Sequence, residues 1–176
     1  NKGNITGSSS FSGTSNPGGV GGIVGWKSQG DISNTYNTGS ISRGGYGTGG
    51  IVGYISAPYI CNISNSYNIG TVYIAAMYHT SGYFLGGIIG YDGYGSSFSR
   101  CVNLGSVYYS ATGGYYTTNV GEIIGGGGYL VRNCYYGNLG HTYGVRGSSG
   151  GTTLNCSTVS VDQFKTESFL STLGWN

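Results

Sequence analysis

A five-residue glycine segment recurs along this chain, and its recurrence limits the fold more than any other feature. It reads Gly21-Gly-Ile-Val-Gly25, Gly49-Gly-Ile-Val-Gly53 and Gly86-Gly-Ile-Ile-Gly90, and a fourth copy, Gly121-Glu-Ile-Ile-Gly125, carries Glu122 in place of the second glycine. A second segment follows each copy: Ile32-Ser-Asn-Thr-Tyr-Asn37-Thr-Gly39, Ile63-Ser-Asn-Ser-Tyr-Asn68-Ile-Gly70, Phe98-Ser-Arg-Cys-Val-Asn103-Leu-Gly105 and the altered Val131-Arg-Asn-Cys-Tyr-Tyr136-Gly137. With Asn1, Asn37, Asn68, Asn103 and Tyr136 as markers, the spacings are 36, 31, 35 and 33 residues, and the chain starts in mid-repeat. Periods of roughly 20–50 residues belong to solenoids, propellers and arrays.

The units have no helical period. They consist of alternating runs of Ile, Val, Tyr, Ser and Thr bounded by Gly and Asn, the pattern of strand, turn and strand. Too few repeats are present to close a propeller, so the expected fold is all-β, a β-solenoid of about four to five stacked 31–36-residue coils spanning 1–158. Equivalent residues then form columns at ~4.8 Å intervals, and Asn37, Asn68 and Asn103 are expected to stack as an amide ladder at a turn. Composition fits a chain built of columns: 38 of 176 residues are glycine and only 7% are charged, since a charge repeated along a column would face its own kind. The 38% apolar content argues against disorder, and two prolines without a triplet period exclude collagen. Residues 159–176 break the pattern. Ser160-Val-Asp-Gln163 has the form of a capping box, so one short helix, or two broken near Thr166, is expected within 160–173 as a cap over the open end of the stack.

The glycine segment and the Ser-Asn-x-Tyr-Asn-x-Gly segment closely resemble the GLUG repeat of large bacterial surface and secreted proteins, among them the non-catalytic region of IgA-cleaving metallopeptidases. The ending from Val159 to Trp175 also resembles the segment that closes many such arrays. The resemblance covers nearly the whole chain, with Glu122 and the shortened region around Tyr136 marking an atypical, terminal repeat. It implies an extracellular or bacterial cell-surface module cut from a longer protein, and it carries over no catalytic residue.

The residues themselves offer little chemistry. Asp31, Asp92 and Glu122 occupy three different phases of the repeat, so no acid–base pair forms, and solvated turn carboxylates are expected. His79 and His141 lack metal-ligand spacing, so neither a metal nor another cofactor is expected. Seven Lys or Arg form no basic patch and the longest apolar run is too short to span a bilayer, which leaves nucleic acid and membrane spans out of the expected partners. Cys61, Cys101, Cys134 and Cys156 permit three complete pairings. Cys101 and Cys134 share a column with Thr35 and Ser66, where a buried thiol column is preferred to a disulfide.

Aromatics are the only side chains plentiful enough to make a site. Trp26, Tyr54 and Tyr91 form one column and Tyr36, Tyr67 and Tyr135 another, both expected to stack internally. The variable stretches between repeats hold the candidate ligand-binding residues Tyr46, Tyr73, Tyr78, Tyr83, Tyr108, Tyr109, Tyr115 and Tyr116, because insertions in a solenoid gather on one face. The expected function is a non-catalytic rigid spacer and adhesive surface that takes a glycan or host surface protein on a tyrosine-rich face. The alternatives are an accessory region of a secreted metallopeptidase with its catalysis elsewhere, and a structural subunit of an extracellular filament that self-associates through solenoid ends.

Overall fold

The computed structural model describes residues 1–7, 18–42, 46–56, 58–75, 83–110, 118–137, 145 and 151–175. The chain winds through four sheets in turn, and every pairing within them is parallel between successive coils. The first sheet holds Ile5–Thr6, Ile41–Ser42, Val72–Ala75 and Val107–Ser110; the second holds Gly19–Gly21, Gly47–Gly49, Tyr83–Gly86 and Thr118–Gly121. The third is built on Val24–Lys27, Val52–Ile55, Ile89–Ser99 and Ile124–Arg132, joined by Ile32–Ser33, Asn62–Ser64 and Thr152–Leu154. The fourth holds Tyr36–Asn37, Tyr67–Asn68, Val102–Asn103, Tyr135–Tyr136 and Ser157–Thr158. This is the expected β-solenoid, but it makes about three full turns where four to five coils were expected. The shortfall lies at the ends: the last pass adds described strands only to the third and fourth sheets.

The Asn markers build the interior. Asn37, Asn68 and Asn103 are fully buried. Each carboxamide nitrogen donates twice: once to the carbonyl of the glycine two residues on (Gly39 at 2.7 Å, Gly70 at 2.8 Å, Gly105 at 2.9 Å) and once more, from Asn37 and Asn68 to the next rung and from Asn103 to Glu122 Oε2. The rung bonds run from Asn1 Nδ2 to Asn37 Oδ1 (2.9 Å), Asn37 to Asn68 (2.8 Å) and Asn68 to Asn103 (2.9 Å). Two donors and a carbonyl acceptor per amide are thus employed in a fully buried site, where an unmade bond is expensive.

The space for these amides is made by the second glycine of the other segment. A Cβ on Gly50 would lie 2.4 Å from Asn68 Cγ and 2.2 Å from the Gly87 carbonyl oxygen; one on Gly87 would lie 2.1 Å from Asn103 Cγ. The first and last glycines bring the second and third sheets together backbone to backbone, as at Gly49, where a Cβ would meet the Val52 carbonyl oxygen. Around this seam pack two apolar clusters, one with Ile51, Ile63, Ile88, Phe98, Ile123 and Val131, the other with Ile41, Val72, Leu85 and Val107 between the first and second sheets.

A corner that the sequence reading missed sits between Ser33 and Thr35. Asn34, Asn65, Arg100, Asn133 and Asn155 all adopt the left-handed region, with φ between 49° and 54°, which asparagine tolerates better than most residues. The reversal resets the alternation, so Ile32 and Asn37 are buried while Ser33 and Tyr36 are exposed.

Two C-terminal helices form as the capping residues predict. In α1 (Val161–Phe164) the Ser160 hydroxyl accepts from Gln163 N and the Gln163 side chain accepts from Ser160 N; α2 (Glu167–Leu173) starts at Thr166 and stops at Gly174, φ 70°. Their expected position over the open end is corrected by the structure: they lie along the side of the stack on the outer face of the fourth sheet. Phe164 and Trp175 pack on Tyr67 at 5.6 and 5.8 Å, Phe169 packs on Tyr135 at 4.8 Å, and Leu173 joins Val102 and Val159 in a third apolar cluster. The reason is the outward column Tyr36, Tyr67, Val102, Tyr135, whose aromatic and aliphatic surface needs a cover.

The glycine spacing carries a stability prediction. Gly50→Ala should cost at least about 3 kcal/mol, because the added carbon meets both backbone and the ladder. Gly128→Ala, where the nearest atom would be 3.7 Å away, should leave stability within about 0.5 kcal/mol. Urea unfolding of the two variants checks this, and equal effects would contradict it.

Candidate functional site

Two of the three repeat-region carboxylates are buried, which corrects the expectation that all would be solvated. Asp92 is fully buried at a corner of the third sheet, where it accepts from the backbone N–H groups of Tyr94 (3.3 Å), Gly95 (3.0 Å) and Ser96 (2.6 Å) and from the Ser96 hydroxyl (3.0 Å). Burial pushes its pKa up while these bonds pull it down. Asp31 is exposed and binds Asn62 through backbone and side chain at 2.9 and 3.0 Å. Glu122, 2% exposed, accepts from Asn103 Nδ2 at 3.1 Å. It stands where the earlier copies have the second glycine, in the coil where the Asn marker has become Tyr136. The two replacements compensate: the lost amide leaves Asn103 without its next rung, and the added carboxyl supplies an acceptor from the opposite side. The amide ladder therefore ends on a carboxyl group.

The cysteines are free thiols. Cys101, Cys134 and Cys156 continue the column of Thr35 and Ser66, each directing Sγ at the carbonyl two residues back, at 3.4, 3.3 and 3.4 Å, as the Ser66 hydroxyl does at 2.8 Å. Burial pushes the Cys134 thiol well up, the opposite of what a nucleophilic thiolate needs.

The eight candidate tyrosines do not share one face. Tyr73 and Tyr108 stand side by side on the outward face of the first sheet, stacked at 5.4 Å and 11°, with Tyr108 42% exposed. Tyr109, in register with the buried Ile74, points inward and packs with Tyr83 against the cluster of Ile41, Leu85 and Val107. Tyr46 belongs to a partly buried group elsewhere, with Tyr54, Phe84 and Tyr91 at 6.0, 5.0 and 5.3 Å. Tyr78, Tyr115 and Tyr116 lie outside the described residues, as do His79 and His141.

The two aromatic columns differ from their expected internal role. Tyr54 and Tyr91 stack at 5.4 Å, but Trp26 in the same register is 51% exposed. Tyr36 and Tyr67 stack at 5.2 Å on the surface that the C-terminal segment covers. The signal that would have sorted the tyrosines is strand parity: Tyr73 and Tyr108 follow the buried Val72 and Val107 directly, and Tyr109 lies two residues on from Val107.

Comparison of the chain with protein-family models, curated proteins and solved structures finds no match.

The ladder's end gives a pH prediction. Burial raises the Glu122 pKa from 4.5 to about 7, so between these values the folded chain holds a proton that the unfolded chain releases. Its contribution to stability is full below the unfolded value and is lost as pH rises through the folded one. Melting temperature should therefore fall from pH 5 to pH 8 in the wild type and fall less in Glu122→Gln, whose carboxamide oxygen still accepts from Asn103. Parallel curves for the two proteins would contradict the assignment.

Proposed function

We propose that this chain is a non-catalytic, extracellular β-solenoid module of the GLUG type, exposed on a bacterial surface, acting as a rigid spacer and adhesive that takes a glycan or a host protein through its outward tyrosines. The observation that carries the reading is the stacked Tyr73–Tyr108 pair: it stands on a sheet whose other face is core, so its rings are held in fixed positions and presented to solvent. Rigid aromatic area of this kind binds at little cost in side-chain freedom. The non-catalytic part of the reading is supported by the carboxylates, since Asp92 and Glu122 are buried in hydrogen bonds that hold a corner and the ladder.

A glycan array and a host-cell binding assay on the wild type and Tyr108→Ala test the reading. Removal of the exposed ring should weaken binding about tenfold, the size of a moderate interface contact, and leave the melting temperature within about 2 °C. Unchanged binding at both Tyr108 and the other outward ring would mean that the module is a spacer alone.

A further inference from the structure

Resting on the adhesive reading, we propose that the step in the outward column of the first sheet, where Tyr73 looks down on Ser42 and Thr6, is a site for one pyranose unit of an uncharged glycan. A sugar packs its C–H face on the face of an aromatic ring. Among the described residues three pairs stack face to face, Tyr36–Tyr67, Tyr54–Tyr91 and Tyr73–Tyr108, and each pair uses one face of each of its rings. The faces left over lie at the ends of these stacks.

The free face of Tyr73 is left over within a column. The parallel register runs Thr6, Ser42, Tyr73, Tyr108, so the ring stack stops in mid-sheet and two small side chains occupy the next two rungs. Two rungs span ~9.6 Å along the axis, enough for a pyranose to lie against the ring. The floor of the step is polar: Thr6 Oγ1 and Ser42 Oγ stand 3.3 Å apart, Thr6 exposed and Ser42 half-buried. Ser42 Oγ also donates to the Ile5 carbonyl at 3.5 Å, so what the pair keeps for a ligand is acceptor capacity, into which a sugar hydroxyl can donate. An aromatic wall over a hydroxyl floor matches the two faces of a sugar, whereas a partner's aromatic side chain would cover both hydroxyls without satisfying them. Charge selects further. The strands Ile5–Thr6, Ile41–Ser42, Val72–Ala75 and Val107–Ser110 contain no Lys, Arg, Asp or Glu, so the strand residues that form the step supply no counter-charge to a sulfated, sialylated or amino sugar.

Calorimetric titration of the chain with neutral hexasaccharides of β-1,4-linked glucose and mannose, and with sialyllactose, tests the site. The neutral probes should bind, Tyr73→Ala should weaken them about tenfold or more, and Tyr73→Phe, which keeps the ring face, should hold within about threefold of wild type. Ser42→Tyr is the discriminating variant. It extends the stack by one rung and fills the step, so it should abolish binding with the melting temperature unchanged or raised; Ser42→Val, which removes the hydroxyl without filling the step, should weaken binding in a fold left intact. A neutral glycan still bound within about twofold by Ser42→Tyr would overturn this site while leaving the adhesive reading standing. Binding of sialyllactose in preference to the neutral probes would overturn the assignment to an uncharged sugar. A wild-type chain that holds no carbohydrate yet binds host-cell protein would overturn the proposal and keep adhesion, and binding of neither would remove both.

Discussion

The buried amide of each Asn marker needs an absent side chain across from it, and the rest of the fold follows from that pairing. A carboxamide taken out of water must keep its hydrogen bonds, and here it does so with its own turn and with the next coil, at 2.7–2.9 Å up to Asn103, whose last bond goes to Glu122 at 3.1 Å. The bonds along the axis fix the vertical register, because a slip of one residue would put Asn68 opposite neither Asn37 nor Asn103. The bonds to Gly39, Gly70 and Gly105 fix the turn. Gly22, Gly50 and Gly87 stand opposite these amides, where a Cβ would collide with the carboxamide, and the same glycine segment seats the second sheet against the third.

From this rigid interior come the properties of the surface. Columns that face inward are apolar, amide or of small hydroxyl and thiol groups, and columns that face outward are free to change from coil to coil. Thr6, Ser42, Tyr73 and Tyr108 occupy one such column without disturbing Ile41, Val72 and Val107 beside them. Where an outward column becomes too apolar, as at Tyr67, Val102 and Tyr135, the chain returns along the stack and covers it with Phe164, Phe169 and Trp175. The polar ladder is closed by Glu122, in the coil where Tyr136 stands at the marker position.

Much of this was legible in the sequence because columns print themselves as repeats. The glycine and Asn segments, their spacing and the amide ladder all follow from residue type at fixed offsets, and the capping box at Ser160 marks α1 by local chemistry. What was not legible depends on geometry that a repeat does not encode. The left-handed corner at Asn34 flips the parity of the strand around it, so the direction of Ile32 relative to Tyr36 could not be read by counting. Glu122 reads as a surface charge until its place opposite Asn103 is known. Tyr108 and Tyr109 are adjacent and identical in type, and only the pairing of Val107 with Val72 puts one outside and the other in the core.

The central claim is that the amide ladder holds the coils together, and the most direct measurement is the unfolding free energy of Asn68→Asp by denaturant titration at neutral pH. This near-isosteric change removes both N–H donors, leaving the Gly70 carbonyl unpaired and Asn103 Oδ1 with the Gly105 N–H alone, beside a buried charge. The account predicts a loss of at least about 3 kcal/mol. A loss below about 1 kcal/mol would mean that apolar packing alone stacks the coils and that the ladder is incidental.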